Sequence, residues 1–356
     1  MVATQNTRGR RIHGSLALWI GAWALGLGSV AEADTLAVPA DHGTVQAALE
    51  AAIAGDRIEI APGVYLGDVD FLGKDVHIVG AGLETILQGT GTGSVVRFVS
   101  GETAAAVLDS VVVTGGSAVQ GGGIEITDSS PTIVRSFIRV NEASQGGSGI
   151  AVRGATAAPR IYNNVLAHNT HSAGDPHSLE VDGAAPLVVN NTIVRGDSNG
   201  VILRGSAGAV LRGNVIARNG SRVGGKLRGR GICDFSGESA VIVHNVFHRN
   251  RIAAFLRGGK DWKKAERFQK REPDDTQVFG NRDGKPGFLR NPKRNPNRSD
   301  LADLALRDSR RAKARDAGDP DPVCNDLDGT RNDAGHAGGP YAAPSIALPG
   351  PGSCGA

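Results

Sequence analysis

A chain of 356 residues with 51 glycines, 4% aromatic residues and a formal net charge of +3 is neither collagen-like nor plainly disordered. Glycine averages about 7% of ordinary domains. Here the glycines have no period of three, and runs of valine and isoleucine lie between them. A turn-rich all-β protein fits this, and the 40% hydrophobic content is enough to fill a long, narrow core.

In chain order, the first feature is an N-terminal targeting segment. Arg8, Arg10 and Arg11 form a positive start, an apolar stretch runs from Leu16 to Val30, and Ala31-Glu32-Ala33 offers small residues to a signal peptidase. Residues 1–33 are therefore expected to be a secretory signal, cleaved before Asp34. The pair Arg10-Arg11 also allows a twin-arginine reading. At roughly 15 residues the apolar stretch is shorter than the roughly 20 that a membrane span needs, and no transmembrane span is expected after cleavage. Export to the periplasm, cell envelope or exterior permits a disulfide. The candidates are Cys324 with Cys354, or Cys233 with Cys324, and both pairings stay open.

Thr44 to Ala54 has apolar residues at Val45, Ala48, Leu49, Ala52 and Ile53, the spacing of an amphipathic helix with Thr44 as N-cap. Short alternating strands follow at Arg57–Ile60, Val76–Val79 and Val95–Val99. One helix before a long run of strands suits a solenoid, whose open end must be covered. The segments NNVLAHN (163–169), NNTIVRG (190–196), GNVIARN (213–219) and HNVFHRN (244–250) are plainly alike, and RSFIRVN (135–141) is a weaker copy. Their second residues, Asn164, Asn191, Asn214 and Asn245, are spaced by 27, 23 and 31 residues, so one turn of the coil is elastic. Each coil reads as three short strands. Like residues then stack about 4.8 Å apart, and an inward asparagine can hydrogen-bond its copy on the next rung. The predicted fold is all-β, a right-handed parallel β-helix over 34–256 with a cap helix at 44–54. Residues 257–356 are its basic, loop-rich closure, and a monomer is expected.

The opening TVQAALEAAIAGDRIEIAPGVY, the segment GGGIEITDSSPTIV and the NNxIxxN repeats resemble the pectin-lyase-like superfamily of right-handed parallel β-helices. The ending at 316–341, DAGDP…DLDGTRNDAGHAGGPY, is similar to the tail of many secreted bacterial members. The resemblance implies the fold; for activity it implies only a range, from polysaccharide lyases, hydrolases and epimerases to proteins with no known reaction.

A lyase needs a charge sink for a uronate carboxylate, a base and a groove. Aligning the glycine-led strands places Ile124, Ile150, Leu179, Val201 and Ile232 inward, and Glu125, Ala151, Glu180, Ile202 and Cys233 outward. Two positions on, Thr127, Arg153, Asp182 and Arg204 face out, with Arg257 on the following coil. The turn 169–178 brings His171, Asp175 and His177 near the same strand. Arg153, Asp182 and Arg204 are the candidate catalytic residues; Glu125, Asp175, His177, Glu180 and Arg257 are candidate substrate contacts. The competing reading is an exposed salt-bridge ladder of about 0.2–1 kcal/mol per pair. His168, His171 and His177 lack an element to converge them on a metal.

A second candidate is the run Asp326 to Asp333, in which Asp326, Asp328 and Asp333 suit Ca²⁺ or a turn that closes the last coil. Residues 257–315 carry 18 Lys and Arg against 9 Asp and Glu, an excess that attracts acidic polysaccharide or an anionic envelope surface. WKKAERFQKRE within it is mildly helical. Few aromatics and no nucleic-acid motif argue against nucleic acid as partner. The function expected is a carbohydrate-active protein, lyase- or epimerase-like, on an acidic polysaccharide. The alternative is a non-catalytic envelope or surface β-helix that binds glycans or partner proteins.

Overall fold

Strands of two to six residues, most with aliphatic side chains pointing one way, set the size of each coil. The computed structural model describes residues 33–173, 177–205, 208–223, 225–237, 239–288, 304, 306, 312–318, 320, 321, 326 and 330–338. The strands stack into three nine-stranded sheets, forming an all-β right-handed parallel β-helix of about eight turns. The first sheet runs from Thr35–Val38 to Val241–Val243, the second from Gly63–Leu66 to Arg282–Asp283, and the third from Val69–Asp70 to Lys260–Trp262. In the first sheet Ile58, Ile78, Leu108, Ile133 and Ile161 stack rung on rung, and all are fully buried. Each such side chain contributes roughly 1.5–3 kcal/mol by leaving water.

The asparagines hold the corner between the first and second sheets. One residue there takes left-handed backbone, as Asn163, Asn190 and His244 do at φ 55°, 55° and 56°, and the next points into the core. Asn164 Nδ2 donates to Asn191 Oδ1 at 3.1 Å, Asn191 to Asn214 at 3.1 Å, and Asn214 to Asn245 at 2.9 Å. The ladder runs one rung further, from Asn245 to Asn281 at 3.0 Å. Each amide oxygen also accepts the backbone N–H of the preceding rung's asparagine, at 2.8–2.9 Å for Asn191, Asn214 and Asn245. A second, broken ladder lies at the next corner, with Asn141 on Asn169 and Asn219 on Asn250, both at 3.2 Å. Gly196 interrupts it. The seventh residues of the repeats are these asparagines, an order that sequence comparison alone left unused.

Both ends of the stack are sealed. Helix α1, Val45–Ala51, lays Ala48 and Leu49 fully buried over the first coil, and Thr44 Oγ1 accepts the Ala47 N–H at 3.1 Å as the predicted N-cap. It is shorter than the spacing suggested, because Ala52 leaves helical backbone and Lys74 Nζ donates to the carbonyls of Leu49, Glu50 and Ala52 at 2.8 Å each. At the other end Trp262 and helix α2, Ala265–Arg271, close the core, with the Phe268 ring edge-on to Phe255 at 5.2 Å. The start of the basic segment, whose WKKAERFQKRE stretch reads as mildly helical, thus supplies the second cap.

Beyond α2 the chain returns over the second sheet. Phe288, Leu304, Ala314, Ala317 and Ala334 pack on the outward side chains of Val165, Ala167, Val194, Val215, Ala217 and Val246. Gly335 N donates to Gly213 O at 2.8 Å, His336 Nδ1 meets Thr192 Oγ1 at 3.0 Å, and Asn190 Nδ2 donates to Gly338 O at 3.0 Å. Gly335 sits at φ +104°, and a Cβ there would lie 2.9 Å from Thr192 Oγ1, so only glycine fits this approach. The described residues from Ala33 onward pack as one compact unit.

Replacing Asn214 with alanine removes a link from the centre of the ladder and leaves buried partners unpaired. We expect Asn214→Ala to lower stability by about 2–4 kcal/mol, read from the denaturant midpoint. A loss below about 0.5 kcal/mol would mean that the ladder follows the fold and does not secure it.

Candidate functional site

With the ends capped and the later rungs of the second sheet covered, the third sheet offers an open polar face. Its outward column runs Asp70, Arg97, Glu125, Ala151, Glu180 and Ile202 on successive rungs, in the register predicted from Glu125 onward. The inward column, Ile124, Ile150, Leu179, Val201 and Ile232, is fully buried as expected. Outward position and exposure part company, however. Ala151, Glu180, Ile202 and Cys233 are all covered, and only the Asp70–Arg97–Glu125 end stays open.

The covering at Glu180 comes from the turn 145–147. Gly147 N donates to Glu180 Oε2 at 2.9 Å, while Arg153 Nη2 reaches the same oxygen at 3.3 Å and Arg204 Nη1 reaches Oε1 at 2.5 Å. Gly146 lies so close that a Cβ would stand 2.5 Å from that carboxylate. Arg153, Asp182 and Arg204 do occupy one row, but the two guanidinia turn to Glu180 two residues back, and Asp182 is exposed beside them. Glu180 is the hub of a charge-holding network in which both arginines act as donors.

The remaining candidates separate. Glu125 lines the open groove described below. His177 is buried within its strand, with Nδ1 3.1 Å from Asn199 Nδ2, so it packs beneath the sheet edge. Asp175 lies outside the described residues. Arg257 does not join the row, which is a correction to the alignment. Cys233 pairs with Leu256, so Arg257 falls in register with Asp234 and points inward, and Phe235 takes the place after Arg204. Arg257 is buried, donating to Asp234 Oδ2 at 2.9 Å, Ala240 O at 3.2 Å and Gln277 Oε1 at 2.8 Å. It ties the last coil to its cap. Cys233 is buried, and Cys324 and Cys354 lie outside the described residues.

The open end is a groove of about 440 Å³ lined by Gln46, Asp68, Asp70, Arg97, Gln120 and Glu125, with Thr92 and Ser94 at its wall. Arg97 bridges two carboxylates, Nη1 to Asp70 Oδ2 at 3.2 Å and Nε to Glu125 Oε2 at 3.3 Å. Asp68 accepts from Thr90 Oγ1 at 3.2 Å, and Gln46 of α1 accepts the Asp70 N–H at 2.9 Å, which joins the cap to the groove. The carboxylates outnumber the arginine, and hydroxyls and amides fill the rest. Such a surface hydrogen-bonds hydroxyl-rich ligands. Asp68, Asp70 and Arg97 escape sequence reading because the first coils lack the NNxIxxN motif. The signal that could have found Arg97 is its place after the inward Val96, matching Glu125 after Ile124.

In the proposed Ca²⁺ run, Asp326 accepts the Asp333 N–H with both oxygens at 3.1 Å, and Asp333 Oδ1 accepts the Asp316 N–H at 2.7 Å. Asp328 lies outside the described residues. Among the described residues no three acidic, histidine or cysteine side chains converge to hold a metal. The visible bonds are those of a turn that closes the chain on itself. Burial, together with the neighbouring Asp326 and Asp316 carboxylates, pushes Asp333 up to about 6.

Two outcomes test these arrangements. Glu180→Gln leaves two arginines without their carboxylate and should cost about 1–3 kcal/mol, measured by thermal melting; an unchanged melt would show the hub to be dispensable. Because Asp333 holds its proton more tightly folded than unfolded, its contribution to stability falls as pH rises from about 4 through about 6. Asp333→Asn should therefore melt like the wild type near pH 4 and gain roughly 1 kcal/mol at neutral pH, after allowance for solvent screening. A gain that is equal at both pH values would exclude titration of Asp333 as its source.

Comparison with known proteins bears on the fold. A family model described as the right-handed beta helix region matches residues 96–263, from the third-sheet strand Val96–Phe98 to just beyond Trp262. No curated protein matches, and no solved structure matches.

Proposed function

We propose that this protein is an exported, carbohydrate-active β-helix of pectin-lyase-like type that holds a polysaccharide chain against the outer face of its third sheet. The observation that carries this reading is the polar groove of about 440 Å³ over Asp70, Arg97 and Glu125, set on a rigid stack of parallel strands. Carboxylates, hydroxyls and amides in one plane match the hydroxyls of successive sugar rings, and the ion pairs to Arg97 hold them in place before the ligand arrives. The signal-like first 33 residues support secretion or placement in the cell envelope. No helix among the described residues is long and apolar enough to cross a membrane.

Holding is better supported than cleavage. The two arginines offered as bases are engaged with Glu180, and in the open groove Asp70 and Glu125 are ion-paired with Arg97. Acidic polysaccharide remains the proposed class, drawn by the basic excess of residues 257–315. Ca²⁺ is not assigned to it.

Affinity electrophoresis through gels containing polygalacturonate or a neutral glucan tests the reading. The wild type should be retarded by at least one of them, and Asp70→Ala/Glu125→Ala should weaken retardation by the neutral glucan about tenfold, near 1.4 kcal/mol. Appearance of unsaturated sugar ends would shift the reading to a lyase. Retardation by neither polymer would end it.

A further inference from the structure

The start of the first sheet holds a buried carboxylate that meets no positive group among the described residues. The strand Thr35–Val38 pairs in parallel with Arg57–Ile60, Thr35 opposite Arg57, and the Asp34 carbonyl accepts the Arg57 N–H at 2.8 Å. That register sets Asp34 beside Asp56, whose Oδ1 accepts the Asp34 N–H at 2.9 Å. Asp56 Oδ2 accepts the Ile53 N–H at 2.8 Å, two residues past helix α1, so one side chain joins the first strand to the cap. Asp56 is 4% exposed, yet it has no ion pair among the described residues.

The other buried carboxylates among the described residues are better provided for. Asp109 is paired with Arg135, Glu180 with Arg153 and Arg204, and Asp234 with Arg257. Glu102 lacks a cation and accepts three bonds instead, from the Gly73 and Ser100 N–H groups and the Ser129 hydroxyl. Asp56 has two peptide N–H donors alone, and a carboxylate taken out of water without a cation is costly. The missing charge is one chemical step away. Residues 1–33 read as a signal cleaved before Asp34, and Ala33 and Asp34 are both exposed, so the bond between them is open to a peptidase. Its hydrolysis consumes one water and leaves a carboxylate on Ala33 and an ammonium on Asp34. That ammonium forms on the nitrogen that already faces Asp56.

We propose that the mature N-terminus is a lock: the Asp34 α-ammonium, freed by signal cleavage, pairs with buried Asp56 and fastens the first strand to the cap helix. The inference rests on the export reading for the cleavage and on geometry alone for the pairing. Replacing a neutral peptide donor by an ammonium adds a positive charge and further N–H donors to the contact. A partly buried pair of this kind is screened less than one on the open surface. Thr35–Val38 is the edge strand of the first sheet, with a neighbour on one side only, and chain ends in that position fray most readily. The uncleaved precursor has the same backbone contact without the charge, so its first strand and its cap are held less tightly. Completion of the N-terminal cap is thereby coupled to processing.

The test compares the full chain, the processed chain beginning at Asp34, and that processed chain acetylated on its α-amine. Acetylation restores the amide N–H and removes only the charge. The processed chain should melt higher than the other two by about 2–4 °C, and its Ile53 and Arg57 amides should exchange with solvent several-fold more slowly. In the Asp56→Asn variant the three forms should melt alike, because the ammonium then has no carboxylate to meet. A free amine that leaves melting and exchange unchanged would overturn the proposal, as would an equal gain in the Asp56→Asn variant. N-terminal sequencing of the protein recovered from an exporting host should begin at Asp34. A terminus at another residue would refute the lock and leave export standing, and so would an exported chain whose free Asp34 amine brings no stability. A chain left uncleaved by such a host would refute the export reading, and with it the lock as a step in maturation.

Discussion

Everything in this molecule depends on the rung-to-rung register, and the buried asparagine ladder is the interaction that secures it. A parallel stack of short strands could slide or splay at its corners, where the backbone turns and leaves polar groups facing the core. From Asn164 to Asn281 each side-chain amide satisfies its neighbour's amide and backbone. An unpaired amide there would cost about 1–3 kcal/mol, so the chain gains most when every rung carries its asparagine in phase. The elastic turn between coils absorbs differences in length without disturbing that phase.

A stack in register still has two open ends and three outer faces. Helix α1 and the Trp262–Arg271 segment close the ends, using fully buried Leu49 at one and Phe268 packed on Phe255 at the other. The returning chain covers the later rungs of the second sheet, whose outward valines and alanines would otherwise form a long apolar strip. Covering that strip determines where a ligand can approach. The third sheet keeps its polar face, and the corner beside it keeps its arginines.

Charge is used in two different ways on these surfaces. On the third sheet, opposite charges alternate along a column, so Asp70, Arg97 and Glu125 satisfy one another and Glu180 holds two arginines. At the neighbouring corner, like charges repeat on successive rungs, and Arg249 lowers Arg218 after burial has done so first. The same stacking geometry produces alternating charge in one place and repeated charge in the other.

The sequence by itself determined the solenoid, the inward column from Ile124 to Ile232, the N-cap at Thr44 and the order of the asparagine rungs. These are local properties: side-chain direction alternates along a strand, and a repeat places like residues at like positions. It did not determine which outward residues meet solvent. Ala151, Glu180 and Ile202 face out and are covered, and Arg257 lies one position from its expected row because the last coil pairs through Cys233 and Leu256. Exposure depends on contacts far apart in the chain, as between Gly147 and Glu180, 33 residues on, or Asn163 and Gly338, 175 residues on. No repeat or periodicity encodes such contacts. The candidate sites therefore became visible only when the folded chain showed which parts of an outward-facing stack it leaves uncovered.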